Sequence, residues 1–556
     1  MKIRIFLVTL LLCCFTLLAA AQVPLMPLQD LRPGMKGIGK TVISGDTIET
    51  FDVEIIGVNG SETSGQGVLV YLSGPLIEKT GGVAQGMSGS PVYVDGRLVG
   101  AVAYGRTFND PHYCFLTPIG NMLQLLDVPS ATGKEWIPQG TSLMAGGFSP
   151  QGMDYLQEKL GLAGLEALPG GGNGQVSDKP LEAGSAVGAS FMQGDLTLGA
   201  LGTVTWVGDD GSVLAFGHPF LQRGQSNFYM NKAWVLGCIP NLQSSYKVGN
   251  MGTGIGTFTQ DRASGIAGKQ GALPASIPTF ITVSDLDRGQ NRFTRVDIIE
   301  DEQMMPLILD AAVYNTAVMA MDRKGGGTAR IRFEISARDS QKKLLRIDRE
   351  NMYYAGGNLI PIMNREMAEA ASILMQNKLE PVDVYGITVT AEITETPQIA
   401  EIQQVSTRQR DVKPGEKVTF NVEFKPYRGK NFNQLVDFVI PKDHPGGELV
   451  LSVRSGGSMA WLQNLLRKQK EEGKPQKQKE RKVTLGDYVK QVNEADKYND
   501  LVIDISIGSG SSFNLEKMSE ELGLESIIQG SPYKQKTTFD FIVDGEREIT
   551  LNVVKD

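Results

Sequence analysis

Thr80-Gly81-Gly82-Val83-Ala84-Gln85-Gly86-Met87-Ser88-Gly89-Ser90-Pro91 runs straight into Val92-Tyr93-Val94-Asp95-Gly96-Arg97-Leu98-Val99-Gly100-Ala101-Val102. The second half of this stretch is a hairpin: two apolar runs flank Asp95-Gly96, a dipeptide that accepts the positive φ angles of a two-residue turn. The first half is a glycine-rich turn with a serine near its centre. A serine hydroxyl is a weak nucleophile until a base takes its proton and the developing oxyanion is held. Glycine at 86 and 89 lets the backbone bend sharply, so that the amides of Gly86 and Ser88 can converge as an oxyanion hole. The hairpin behind would fix the turn on a sheet. Ser90, two residues on, points elsewhere and is the weaker nucleophile. Glycine-rich turns with a structural serine are common; the hairpin behind this one is what favours catalysis.

Outward from the turn, 51–56 and 67–72 read as apolar strands, and Thr117-Pro118 opens a short closing helix that ends near Leu126. From 132 to 187 the pattern loosens, with Gly170-Gly171-Gly172-Asn173-Gly174 as a connector. Strand character returns at 202–207 and 213–216, around a turn at Asp209-Asp210-Gly211, and ends at Gly217-His218. Glycine, at 65 of 556 residues, exceeds its average of about 7 % and favours short strands joined by tight turns. Further on, 328–335 alternates strictly, Asn364 is placed to cap a helix to about 377, and 387–393 alternates again, which indicates a small α+β unit. Val418, Phe420, Val422 and Phe424 at period two, with Leu449, Leu451 and Val453, indicate a small β-sandwich. The strands at 501–507 and 539–543 are placed to complete it. The expected class is mostly β.

Lys2 and Arg4, an apolar run from 5 to 18 and Ala19-Ala20-Ala21 form a signal peptide at 1–21. Export follows, to a periplasm, cell envelope or exterior, and no later stretch is expected to span a bilayer. Once the signal is removed, Cys114 and Cys238 remain, and an oxidising compartment permits a disulfide between them. Two cysteines and three histidines build no persuasive zinc site, and no cofactor is expected. A net charge of −8 argues against a nucleic-acid partner, which needs a basic surface. The basic run at 467–482 reads as a solvated linker. The run Gly252-Thr253-Gly254-Ile255-Gly256 lacks the strand–helix context of a nucleotide loop.

The base must be His112, His218 or His444. His444 sits in an exposed-looking loop, Lys442-Asp443-His444-Pro445. His112 lies in a loop of the serine half. His218 ends a strand, where an imidazole can be aimed and held, and is the leading candidate.

The neighbourhood of Ser88, from 80 to 91 with 95–102 behind it, resembles the catalytic region of the SpoIVB family of serine peptidases, and 46–54 resembles the strand entering that region. Residues 202–207 with Gly217-His218, and 258–268, resemble the family's histidine-bearing half. The resemblance implies a chymotrypsin-like two-half β-barrel, Ser88 as nucleophile, His218 as general base, and protein substrates, the enzyme itself among them. Two departures stand out. The halves occur in swapped order, and the family's triad aspartate aligns with Ser73. Asp261 is the first replacement as orienting acid and Asp52 the second.

The organisation expected is a signal peptide at 1–21 and a SpoIVB-like peptidase domain at 22–290, with its serine half at 27–126, connector at 127–186 and histidine half at 187–271. An α+β unit at 291–398 and a β-sandwich-like region at 399–556, with a basic insertion at 456–495, follow. Two functions fit: an exported serine endopeptidase, or a catalytically silent peptidase-like barrel that binds an envelope protein as a scaffold.

Overall fold

The computed structural model describes residues 23–60, 67–105, 110–127, 143–172, 174–241, 245–459, 484–505 and 533–554. The expected signal peptide, the basic run at 467–482 and the end of the strand at 501–507 lie outside them. The chain is mostly β, with 51 % strand and 17 % helix. It divides into two compact units, 1–276 with 296–301, and 277–295 with 302–556.

The first unit opens with a closed barrel of β1 (Lys36–Thr41), β2 (Glu49–Asn59), β3 (Gly67–Ser73), β4 (Pro91–Val94), β5 (Arg97–Tyr104) and β6 (Tyr113–Pro118), paired in the order β1-β2-β3-β6-β5-β4. Alternation drives its closure. Phe51, Val53 and Ile55 of β2 and Val68, Val70 and Leu72 of β3 point inward and are buried. Asp95 (φ 50°) and Gly96 (φ 73°) make the tight turn between β4 and β5, as their types require. Helix α1 (Pro75–Thr80) follows β3 and is stopped by Gly81 in the left-handed region, whose N–H returns to Glu78 and Ile77 carbonyls. The chain is thereby turned back toward β4, and 81–90 becomes the loop between them. After β6 comes α2 (Ile119–Leu123); Thr117 does not cap it, because its hydroxyl donates to the carbonyl of Gly217 instead.

The connector is not structureless. It carries β7 (Leu143–Gly146), α3 (Pro150–Leu162), capped by the Ser149 hydroxyl, and β8 (Ala167–Pro169). Then β9 (Ala186–Gly194), β10 (Thr197–Val207), β11 (Ser212–Ala215), β12 (Gly224–Ile239), β13 (Tyr246–Arg262) and β14 (Gly265–Gln270) pair in the order β9-β12-β13-β14-β11-β10. β10 pairs back onto β9 and closes a second ring of six. The Gly252–Gly256 run lies within β13, where the ladder to β12 shifts register. Phe191, Phe216, Phe220 and Phe228 fill this ring edge to face, with centroids 5.1–6.1 Å apart. Leu98, Ala101, Ile119, Met122 and Leu125 pack with Leu214 and Ala267 where the two barrels meet.

In the second unit, β15 (Ser276–Asp285), β16 (Gly327–Arg338), β17 (Leu344–Ala355) and β18 (Asp383–Thr394) form a sheet ordered β17-β16-β18-β15. Helices α4 (Met304–Met321) and α5 (Ile360–Met375) pack on each other. Asn364 is not a cap; it is buried inside α5 and donates to Asp310. By length and composition α4 could cross a membrane, unlike anything expected from the sequence, but 83 % of it is buried within the fold. The sandwich pairs a four-stranded sheet with a five-stranded one over a shared core, and the strands after 500 complete both sheets. His444 is buried there, not exposed, and accepts from the Gly446 amide.

Candidate active site

The Ser88 turn is held by alternate peptide groups. Gln85 N–H donates to Ser245 O at 2.7 Å, Met87 N–H to Ala84 O at 2.9 Å, Gly89 N–H to Val102 O at 2.7 Å and Ser90 N–H to Met87 O at 2.9 Å. Of the ten amides from 81 to 90, those of Gly86 and Ser88 alone make no hydrogen bond among the described residues. Buried N–H groups are nearly always paired, so two open ones on either side of a pinned amide are a distinctive pattern. Gly86 (φ 89°) and Gly89 (φ 95°) supply the backbone this needs. A methyl on Gly89 would also lie 1.9 Å from Thr203 O and 2.5 Å from Phe216 N, so no side chain fits there. Ser90 is buried with its hydroxyl unpartnered among the described residues.

The histidine loop reaches the same place. Thr203 N–H donates to Ser88 O at 2.8 Å and Phe216 N–H to Thr203 O at 3.3 Å. The carbonyl of Val102, bonded by Gly89, lies 3.0 Å from where a Gly217 side chain would begin. Ser88 and His218, each next to one of these glycines, are thus gathered around one strand of the first barrel. The His218 ring lies between Tyr104 and Phe216, with centroids 5.9 and 6.1 Å away. Its Nδ1 is 2.7 Å from Pro219 O. A carbonyl only accepts, so Nδ1 carries the proton and Nε2 presents a lone pair. Burial lowers the imidazole pKa, with the Pro219 hydrogen bond pulling the other way. No hydrogen bond joins His218 to the Ser88 hydroxyl among the described residues. Phe216 (φ 68°) stands in the left-handed region, a conformation costing a bulky residue about 1–3 kcal/mol.

Asp261 does not bond His218. Its carboxylate, fully buried, accepts from the amides of Phe220 (2.7 Å), Leu221 (2.8 Å) and Arg223 (3.2 Å). It braces the loop that follows the histidine instead of orienting the ring. Burial raises its pKa, against those three amides and the Arg223 charge. Asp52 pairs across the β2–β3 ladder with Ser73 at the exposed face of the first barrel, and makes no bond to His218. His112 Nδ1 donates to the Asp110 carboxylate at 2.8 Å, and the ring stacks on Tyr71, on the loop whose Pro111 carbonyl receives the Val83 amide. The expected Cys114–Cys238 disulfide is not formed: both thiols are free. Cys114 faces the core of the first barrel, where burial pushes its pKa up to about 12, and Cys238 packs against that core from β12. Each serves as a small apolar side chain.

The residue that the sequence reading passed over is Lys247. It is fully buried at the start of β13, and its Nζ lies 2.9 Å from Thr41 Oγ1 and 3.2 Å from Thr203 Oγ1. Burial brings its pKa down to about 7, with Cys238 opposing. No signal in the sequence marks it: it lies between Tyr246 and Val248, and period two sets a polar residue so placed on the outward face.

Two six-stranded barrels that bring a serine turn and a histidine loop together define the chymotrypsin-like class of β-barrel fold. Within it, residues 17–123, about a fifth of the chain, match the family model of the SpoIVB peptidase S55. The chain therefore carries a SpoIVB-type serine peptidase segment, and it is the segment that holds Ser88. No curated protein and no solved structure matches the chain.

Proposed function

We propose that the protein is an exported serine endopeptidase of SpoIVB type that cleaves polypeptides, its own chain among them, through Ser88 and His218. The observation that carries this reading is the pair of open amides at Gly86 and Ser88, flanking a pinned Met87 amide. Ser88 Oγ attacks the peptide carbonyl carbon as its proton passes to His218 Nε2. The carbonyl oxygen, now an oxyanion, is received by the two amides. The C–N bond then breaks as His218 returns the proton to the leaving amine, and water releases the acyl group by the reverse proton route. Pro219 O holds the tautomer that an aspartate holds in the usual triad, but supplies no negative charge to the imidazolium. Turnover is therefore expected to be slow relative to a complete triad.

A fluorophosphonate probe tests the assignment. Wild-type protein is expected to be labelled at Ser88, and Ser88→Ala to lose the label altogether; equal labelling of both would sink it. The silent-scaffold reading rests on the same missing carboxylate and on the absence of a Ser88–His218 hydrogen bond. An unlabelled wild type that still retains one specific envelope protein would favour it.

A further inference from the structure

We propose that Lys247 is a positioning residue for the Ser88 turn, its backbone aiming the open Gly86 amide and its buried amine, through Thr203, holding the peptide plane that joins the two open amides. The proposal rests on the reading of Ser88 as nucleophile and adds a residue to it.

A peptide group is rigid, so pinning one edge of its plane aims the other. The plane that carries the Gly86 N–H has Gln85 O on its opposite edge, and that oxygen accepts from Lys247 N–H at 3.0 Å. The next plane, which joins the two open amides and carries the bonded Met87 N–H, has Gly86 O, which accepts from Thr203 Oγ1 at 2.9 Å; the plane of the Ser88 N–H is held at Met87 O by Ser90 N–H. Lys247 Nζ donates to that same hydroxyl and to Thr41 Oγ1. A threonine hydroxyl has one proton to give. By occupying a lone pair of Thr203 Oγ1 from the far side, the amine leaves that proton for Gly86 O. The lysine stem fills the space beside Gly86, where an added methyl would meet its Cβ and Cδ at 3.1 Å. Thr203 N–H then holds Ser88 O. Thr203 from β10 and Lys247 from β13 reach the turn directly, and Thr41 from β1 holds the lysine amine behind them. No carboxylate bonds the amine among the described residues, and Cys238, opposite it in the β12–β13 ladder, is the titratable group whose charge acts on it. A buried lysine without an acid partner is costly to keep, and a purely structural contact between two threonines is better made by an apolar side chain.

The test uses Lys247→Met, which keeps the stem, with Thr203→Val and Thr203→Ser, in the full chain. Rates of fluorophosphonate labelling are split into the limiting rate and the concentration for half-saturation. Lys247→Met and Thr203→Val are each expected to lower the limiting rate at least 10-fold with half-saturation unchanged, and Thr203→Ser to stay within about 3-fold of wild type. The double variant Lys247→Met/Thr203→Val is expected to be no slower than the worse single one. A folded Lys247→Met labelled at the wild-type rate overturns the proposal. If Lys247→Met does not fold, Thr203→Val decides in the same way. A wild type that takes no label defeats the assignment of Ser88, and amide hydrogen exchange then reads the brace by itself: peptides covering 83–90 should exchange at least 10-fold faster in Lys247→Met than in wild type, and equal exchange overturns it.

Discussion

Inside the first barrel the interior is apolar: Val53, Ile55, Val70, Leu72, Val92 and Met87 face one another with no charged group among them. The second buries an aspartate, Asn231, Thr203 and Gln260 as well as four phenylalanines, and a lysine where its strand β13 faces Thr41 of the first barrel. Burying a polar group is tolerated when it is hydrogen-bonded, and here each of the two charged ones bonds backbone or hydroxyls near a functional side chain. Lys247 and Asp261 stand on the same strand, β13. One addresses the serine turn and the other the histidine loop. On the proposed reading, the first barrel supplies the nucleophile and a rigid floor, and the second the base and most of the atoms that aim both.

The sharpest way to break that division is to remove the second barrel's contribution to proton transfer. His218→Ala is expected to lower kcat/KM on a peptide substrate by about 10²–10⁴-fold, while thermal unfolding moves little. Undiminished activity would return the base to the first barrel, where His112 stands with Asp110. Asp261→Asn should have a smaller effect. It puts an NH₂ group against amides that need an acceptor, at a cost of about 1–3 kcal/mol. A lowered Tm, faster hydrogen exchange over 218–224 and a loss in kcat/KM of roughly 10-fold are expected together. A far larger loss with the loop unchanged would make Asp261 a direct partner of the imidazole. The smallest effect is one of pH. His218 must be neutral to accept a proton, and burial lowers its pKa below the ordinary 6.5. Activity should therefore climb through an acid limb lying below pH 6.5. The unfolded chain takes up the proton first, so the same burial stabilises the fold above pH 6.5 and that contribution is lost as pH falls through the folded pKa. A limb above 6.5 in the pH–rate profile would mean that an anion reaches the ring.

Much of the first barrel was legible because its rules are local. Asp95-Gly96 names its own turn, and β2 and β3 alternate in plain view. The serine turn was legible from glycine spacing for the same reason. Helix α4 was not, because a helix buried all round shows no polar face and hence no period. Helix α3 was missed because Gly152 and Gly161 interrupt it. The partners of Asp261 lie about 40 residues away in sequence and those of Lys247 as far as Thr41, and nothing in a buried lysine's neighbours distinguishes it from a surface one. The disulfide failed as an expectation for a related reason: two cysteines left over by subtraction say nothing about whether their side chains meet in a bonding geometry.

Thr203 and Lys247 lie 115 and 159 residues beyond the serine they support. As the chain is made from its N-terminus, β1 to β6 can pair while both are still to be synthesised. Through that interval the first barrel presents a serine whose Gly86 and Gln85 carbonyls have no partners, so the free amides are not yet aimed. On the proposed reading, the turn is fully braced only once β13 is in place, so a chain that ends before Lys247 is expected to hold Ser88 without its aimed amides.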